Sequence, residues 1–322
     1  MEEPKDKKVL MVIDSNSIIH RAFHALPALT TKKGEEVGAV YGFLLVFFKA
    51  IKDFHPECIS AAFDLPFPTF RHKKYKEYKA KRPPTPKELK SQMPKVKEIL
   101  RAFSVPVFEK EGFEADDIIA TIASSAKKSA ETEAIILSGD LDALQLVDRS
   151  TKVFALRKGV KDVVLYDEGL VKERFGGLEP GQLVDFKALR GDSSDNIPGV
   201  EGIGDKTATE LLLRFGTLEN IYKKIKEDSE DEKNIKPRIK ETLLKNEKLA
   251  FLSENLAQVQ KNVPIEFDIE ACHWKKFDRE KVVKMLEDLE FKSLIERIPD
   301  IYEKSSVSGA GASGIGKQGK LL

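Results

Sequence analysis

Three apolar runs stand out along the chain: Val9–Ile13, Ile59–Phe63 and Ala134–Leu137. Short continuous apolar runs predict strands buried on both faces, as in a parallel sheet. Each ends at or shortly before an aspartate, namely Asp14, Asp64 and Asp140. Helix-like segments lie between them. One runs from Val40 to Phe54 and stops at His55-Pro56; another runs from Ile118 to Lys128, opened by Glu114-Ala115-Asp116-Asp117. From residue 9 to about 150 the alternation predicts a parallel sheet with crossover helices. Residues 66–94 break the pattern. They are rich in Lys, Arg, Tyr and Pro, and Pro83-Pro84-Thr85-Pro86 interrupts any long helix. An excursion of that length is usually functional. Helix is expected to resume through Lys95–Leu100. Past residue 180 the chain reads as mostly helical, with a charged surface connection over 223–248 and a last helix over Arg279–Ile298. From Ser305 the Ser/Gly-rich sequence predicts a flexible tail.

The strand ends carry the chemistry. Ligands of an open α/β sheet sit beyond the carboxyl ends of its strands, so a parallel arrangement brings Asp14, Asp64 and Asp140 to one edge. Six more carboxylates join them: Glu114, Asp116, Asp117, Asp142, Asp192 and Asp195. That much negative charge in one cleft requires protonation or bound cations. Hard divalent ions such as Mg²⁺ take oxygen ligands and leave room for phosphate. The set therefore points to two-metal hydrolysis of a phosphodiester. An acidic first turn is also an ordinary helix start, favoured by the helix dipole, so the Glu114 cluster alone would read as capping.

Composition narrows the field. At 322 residues and 41% hydrophobic, the chain suits a soluble protein of about two domains. Two cysteines, Cys58 and Cys272, offer neither a disulfide framework nor metal-ligand spacing, and a reducing cytoplasm fits. The longest apolar stretch, Ala39–Phe48, is too short to span a bilayer. The five histidines show no triad or metal spacing and read as structural or surface groups.

The net charge of +1 hides an asymmetry. Arg71 to Arg101 holds twelve Lys/Arg against three Glu, and no metal-ligand candidate. A lone charge run is often only a solvated helix face. Beside an acidic centre it suggests a polyanion held by one and cut at the other. Arg71, Lys73, Lys74, Lys76 and Lys79 interleave with Tyr75 and Tyr78, which suits backbone contacts with some base stacking. The sequence Gly191-Asp192-Ser193-Ser194-Asp195-Asn196-Ile197-Pro198-Gly199-Val200 precedes Gly202-Ile203-Gly204-Asp205-Lys206-Thr207-Ala208 and a helix over Thr209–Phe215. Glycines at a helix N-terminus let backbone amides approach a phosphate, so this reads as a hairpin gripping duplex without reading bases.

Together these motifs, with Thr69–His72, Tyr78–Arg82 and Leu144-Gln145-Leu146, resemble the 5′ nuclease domain of bacterial DNA polymerase I, of the flap endonuclease family. The resemblance covers roughly residues 9–300. It implies a PIN-like α/β core over 1–180, with a helical arch at about 66–94. It also implies a helix–three-turn–helix domain that binds duplex over 181–300, followed by a tail at 301–322. By position, Asp14, Asp64, Glu114, Asp116 and Asp117 would surround one Mg²⁺ or Mn²⁺, and Asp140, Asp142, Asp192 and Asp195 another. Lys79 and Arg82 match residues that contact the scissile phosphate, and Arg21 and Arg71 match groups near the 5′ phosphate. Gly202, Gly204, Lys206 and Thr207 match the duplex-binding hairpin, where the family implies a K⁺. The implied substrates are nicked or branched DNA with a 5′ flap and RNA–DNA primer junctions. A polymerase and a sliding clamp are implied partners of a cytoplasmic, nucleoid-associated monomer.

Three positions depart from the family pattern. Ser15 replaces a glycine, and its side chain could crowd the metal. His20 replaces a tyrosine, and Leu141 a lysine. None removes a metal ligand. A full DNA polymerase I continues into proofreading and polymerase domains, so the expectation is a stand-alone nuclease or a piece of a longer chain. Gln318-Gly319-Lys320-Leu321-Leu322 resembles clamp-docking peptides, against the plainer reading of a frayed terminus. Two alternatives remain open: a branched-DNA binding module that recruits a polymerase without cutting, and a metal-dependent small-molecule phosphatase. The intact carboxylates weigh against the first, and the basic excursion and the hairpin against the second.

Overall fold

A computed structural model describes residues 7–127, 131–227, 235–274 and 276–299. Strand β1 (Lys8–Asp14) leads directly into helix α1 (Ser15–Ala25), which is followed by α2 (Gly38–Phe54) and β2 (Cys58–Ala62). A short α3 (Phe70–Lys74) precedes the long α4 (Lys87–Ala102), β3 (Val107–Phe108) and α5 (Ala115–Ala126). Strands β4 (Thr132–Ser138), β5 (Thr151–Leu156) and β6 (Val163–Tyr166) complete one six-stranded sheet in the order β3-β2-β1-β4-β5-β6. All neighbours pair in parallel except β5 and β6, which turns back antiparallel at the edge.

The sheet is covered on both faces. Met11 and Ile13 of β1 face one apolar cluster, with α1, α2 and α4; Leu10 and Val12 face the other, with α5. Strand order reverses at β1, between β2 and β4. A ligand crevice forms at such a switch point, outside the strands' carboxyl ends.

Helix α4 starts at Lys87 and runs through Pro94, whereas helix was expected to resume only at Lys95. Its first turns are anchored by buried Leu89 and Gln92. The Gln92 Oε1 accepts the Ala39 and Val40 N–H groups at 2.8 and 3.3 Å, satisfying orphan amides at the start of α2, which has no side-chain cap of its own. The excursion from the core therefore ends at Pro86, not near residue 94.

Helix α6 (Glu168–Arg174) links the sheet to a helical unit of α7 (Leu183–Arg190), α8 (Asp205–Phe215), α9 (Leu218–Lys226), α10 (Pro237–Lys245) and α11 (Glu247–Ala257). These helices bury their own cluster, from Leu178 to Ala250. The charged stretch 223–248, expected as a surface connection, holds the end of α9, all of α10 and the start of α11. Apolar Ile225 and Leu243 inside it reach that core.

The chain then returns to the sheet. Val259, Val263 and Cys272 join the α5 face, and Trp274, Phe277, Leu286 and Ile298 join the α2/α4 face, with the Trp274 indole N–H donating to the Pro56 carbonyl at 2.8 Å. Side chains from 259–298 thus pack on the two faces of the sheet, while the cluster buried by the helical unit runs from Leu178 to Ala250. The single helix expected over 279–298 is two, α12 (Arg279–Asp288) and α13 (Lys292–Ile295), separated at Glu290 with φ 60°. The tail at 301–322 lies outside the described residues.

One carboxyl pair in the helical unit makes its stability pH-dependent. Asp185 accepts the Leu218 N–H at 3.0 Å. Burial, with the charge and hydrogen bond of Asp185, pushes the Glu254 carboxyl up to about 7. The folded state holds this proton more tightly than the unfolded chain, so this contribution to stability is lost as pH rises from the ordinary carboxyl range through about 7. Urea unfolding at about pH 5 and about pH 8 should show a larger difference for the natural chain than for Glu254→Gln, which keeps a donor at every pH. Equal differences would remove Glu254 as the source.

Candidate active site

The carboxyl end of the sheet opens into a cavity of about 380 Å³. Asp14, Asp64, Glu114, Asp116, Asp140 and Asp195 line it, with Lys79, Arg82, Asn16, Ser17, His20, Arg21 and His24. The carboxylates come from five separate parts of the chain, and backbone ends place them. Asp14 ends β1 and caps α1, accepting the Ser17 N–H at 3.2 Å and the Ser138 hydroxyl of neighbouring β4 at 2.6 Å. Asp64, just past β2, accepts the Ala115 N–H at the start of α5 at 2.8 Å. Asp140, just past β4, accepts the Asp142 N–H at 3.0 Å. Glu114 and Asp116 flank that same first residue of α5.

Crowding shows in the proton affinities. Burial, and then the charges of Asp64 and Asp140 against the Ser138 and Ser17 hydrogen bonds, pushes Asp14 up to about 6. Asp64 is raised by desolvation despite its bond to Ala115. Asp116 is raised well above the carboxyl range by burial and by Asp14 and Asp140. Its carboxylate has no hydrogen-bond or ion-pair partner among the described residues. A fixed, acid-rich pocket with one orphaned carboxylate, in which oxygen donors outnumber the two imidazoles, fits hard divalent cations. Among the described residues, no three such groups close around a single point, so the cavity offers donors without a finished coordination shell.

The basic excursion lies down over this pocket. The Lys79 ammonium is 3.1 Å from Glu114 and 3.8 Å from Asp195, and Arg82 pairs with Asp195. Lys79 has φ 55°, and its N–H donates to the Asp195 carbonyl at 2.8 Å. A non-glycine residue held in the left-handed region is strained and persists only where surroundings over-determine it. Here the Tyr78 hydroxyl also bridges Glu114 and Asp195, at 3.1 Å to each. Its ring packs on Ile197, Leu256 and Ala257.

Three of the nine carboxylates do not line the cavity. Asp117 is fully buried and accepts both arms of Arg71 at 2.8 Å, together with the Glu114 and Gln260 N–H groups at 3.1 and 2.8 Å. Asp142 and Asp192 share the Lys187 ammonium. Burial works against the Asp192 charge, but Lys187 holds its carboxyl well below the ordinary range. Two groups expected on nucleic acid are also internal. Arg71 is 2% exposed, with its guanidinium spent on Asp117, Glu114 and the Leu256 and Gln258 carbonyls. Tyr78 is 3% exposed and hydrogen-bonded. Both are corrected from contact residues to framework.

The other expected contacts remain at the surface. Lys73 is exposed, the exposed Lys74 reaches Asn255, and Tyr75 is half-buried. Arg21 lies on the cavity wall, donating to the Gly139 carbonyl at 2.7 Å. Ser15 is fully buried with an unpartnered hydroxyl and does not line the cavity, so it does not crowd the carboxylates. His20 and His24, read from sequence as structural or surface groups, line the pocket. With Asn16, Ser17 and Arg21 they occupy one helical face of α1, a spacing visible in the sequence once α1 is known to start at the site.

The loop after α7 is built on two glycines. Gly191 (φ 79°) and Gly199 (φ 66°) cross so closely that a Cβ at Gly199 would lie 2.2 Å from the Gly191 nitrogen. This closes the Asp192–Ile197 turn and sets Asp195 into the cavity. Gly204, which precedes α8, is different. Its φ is not positive, and nothing lies within 4 Å of where a Cβ would sit. Gly202 (φ 85°) is equally open, and Lys206 and the half-buried Thr207 stand in the first turn of α8, which begins at Asp205 and not at Thr209 as expected.

Two family profiles match the chain: the 5′-3′ exonuclease N-terminal resolvase-like domain over residues 9–176, and the 5′-3′ exonuclease C-terminal SAM fold over residues 178–280. DNA polymerase I of Bacillus caldotenax is 42% identical over 292 residues, covering 91% of this chain and 32% of that protein. DNA polymerase I of Mycobacterium tuberculosis (strain ATCC 25618 / H37Rv) is 37% identical over 300 residues, covering 92% and 32%. The chain spans about a third of the length of these relatives. Among solved structures, the T5 5′-exonuclease with bound zinc superposes with a TM-score of 0.63 at 21% identity, covering 88% of this chain and 99% of that one. The catalytic core of Rad2 in complex with DNA substrate gives 0.55 at 18%, covering 91% and 94%. At these identities the likeness establishes the fold.

Proposed function

The chain belongs to the 5′-3′ exonuclease family, and from that premise we propose that it is a structure-specific, divalent-metal-dependent 5′→3′ exonuclease and flap endonuclease. The observation that carries this reading is the gathering of six carboxylates around one cavity, with Asp116 unpartnered and Lys79 and Arg82 beside them. Asp14, Asp64, Glu114, Asp116, Asp140 and Asp195 would hold Mg²⁺ or Mn²⁺, two ions per site; bound there, the ions supply an activated water and charge neutralisation at the phosphate. Lys79 and Arg82 exchange their carboxylate partners for the scissile phosphate and balance charge growing on its oxygens. Asn16, Arg21 and the imidazoles of α1, which line the same cavity, orient the 5′ end. The open backbone at Gly202 and Gly204 leaves space for a duplex phosphate at the start of α8, where amides and the Lys206 charge favour an anion. Folding alone does not require a glycine at 204, and room for a ligand does. The K⁺ expected at this hairpin belongs to the same reading.

Binding through backbone and shape gives selectivity for DNA structure and not for sequence. Hydrolysis leaves a 5′-phosphorylated fragment and a 3′-hydroxyl nick. Removal of flaps and RNA primers during replication and repair follows, in the bacterial cytoplasm, by a monomer beside a polymerase and sliding clamp.

The test uses a 5′-labelled double-flap DNA with Mg²⁺ and, separately, with EDTA. A Mg²⁺-dependent cut at the junction, near the first paired nucleotide, is expected. Tight binding without cutting in Mg²⁺ or Mn²⁺ would replace this reading by a silent recruitment module.

A further inference from the structure

Asp142 and Asp192 share a cation that the protein itself supplies. The Lys187 ammonium, on α7, pairs with Asp142 and lies 2.7 Å from the Asp192 carboxylate. Its side chain is only 19% exposed. Neither aspartate lines the cavity, yet Asp140, two residues before Asp142, and Asp195, three after Asp192, both do. Lys187 therefore stands just behind the second group of expected metal ligands and draws half of it away from the pocket.

We propose that Lys187 is an internal counter-ion that holds the place of a divalent cation at Asp140, Asp142, Asp192 and Asp195, and gives up the carboxylates when the cation enters. This rests on the reading of the cleft as a divalent-cation centre. Two carboxylates against one ammonium leave a net negative charge, so the arrangement is preformed without being neutral. Without the ammonium, the carboxylates would repel each other in a desolvated wall. Lysine suits an exchangeable role because it is a point charge on a flexible stem. The contrast is Arg71, whose planar fork locks Asp117 with two parallel bonds and three further contacts. Lys187 is thus a positioning residue that acts through its carboxylates and sets how readily a cation takes them.

Two measurements test this without relying on turnover. In the natural protein, labelling of the Lys187 amine by an amine-reactive ester, read by peptide mass spectrometry, should rise several-fold when Mg²⁺ is added. In thermal-shift titrations, Lys187→Met should melt lower than the natural protein without divalent ions. Its half-saturating Mg²⁺ concentration should fall about fivefold or more, because the cation no longer competes with the ammonium. Lys187→Arg should need more Mg²⁺ than the natural protein. Lys152→Met, which removes a cation paired with Glu133 on the sheet, should leave the Mg²⁺ midpoint unchanged. An unchanged or higher midpoint in Lys187→Met would overturn the proposal, as would labelling that ignores Mg²⁺. If the natural protein shows neither a Mg²⁺-linked thermal shift nor cleavage, the metal-centre reading falls and this proposal with it. A Mg²⁺-linked shift that Lys187→Met leaves untouched removes the proposal alone.

Discussion

Asp116→Ala is expected to abolish cleavage of a flapped DNA while leaving the protein folded and able to bind. The single-turnover rate should fall at least about a thousandfold, about 4 kcal/mol of transition-state stabilisation. The reason lies in what the folded chain does not do with this side chain. Asp116 has no hydrogen-bond or ion-pair partner among the described residues, and it sits where Asp14 and Asp140 make its charge unfavourable. Removing it relieves repulsion, so the variant should melt at or above the temperature of the natural protein. A carboxylate that costs stability and has no hydrogen-bond or ion-pair partner among the described residues is suited to hold a ligand. Asp64→Ala should behave similarly, with a small loss of stability because the Ala115 N–H loses its acceptor. Flap binding, measured by anisotropy with Ca²⁺ in place of Mg²⁺, should stay within about tenfold because backbone contacts dominate affinity. Equal loss of binding and rate would take both aspartates out of the chemistry.

What was legible beforehand follows the same physics. The strand ends could be read because a buried parallel strand must be apolar throughout, and its first polar residue marks the sheet edge. That logic placed Asp14, Asp64 and Asp140 together correctly. It could not separate carboxylates that face the cavity from those turned away, since Asp116 and Asp117 are adjacent and differ only by the turn of a helix. Nor could it foresee that a basic run would be divided. Lys73 stays in water, Lys79 leans on Glu114, and Arg71 is sealed inside, although all three look alike in a charge count. The start of α4 at Lys87 was missed for a related reason: its first turns lie in the Lys- and Pro-rich stretch, and the burial of Leu89 and Gln92 that anchors them does not show in composition. The return of residues 259–298 to the sheet was hidden because its apolar positions, such as Trp274 and Leu286, pack on strands and helices more than a hundred residues earlier.

Arg71 supplies the other large effect, and it distinguishes framework from nucleic-acid contact. The guanidinium makes five hydrogen bonds, of 2.8 to 3.2 Å, to Asp117, Glu114 and the carbonyls of Leu256 and Gln258. It thereby ties the excursion, the start of α5 and the end of α11 to one point. Burial alone would weaken its charge, but the hydrogen bonds of Asp117 and the charge of Glu114 hold its pKa above the ordinary arginine value. Arg71→Met would leave the fully buried Asp117 carboxylate with only the Glu114 and Gln260 amides and no opposing charge. Stranding one partner of a buried pair costs about 3–5 kcal/mol. Urea unfolding should show a loss of that size, whereas Lys73→Met, on the exposed side of the same short helix, should change stability by less than about 0.5 kcal/mol. Arg71→Lys should recover only part of the loss, because one ammonium cannot satisfy a fork of acceptors fixed in a plane. If Arg71 contacted DNA instead, Arg71→Met would keep its unfolding midpoint and flatten the salt dependence of binding by about one phosphate contact. The buried geometry commits to the opposite result: a lower midpoint, and a salt slope that stays where it was.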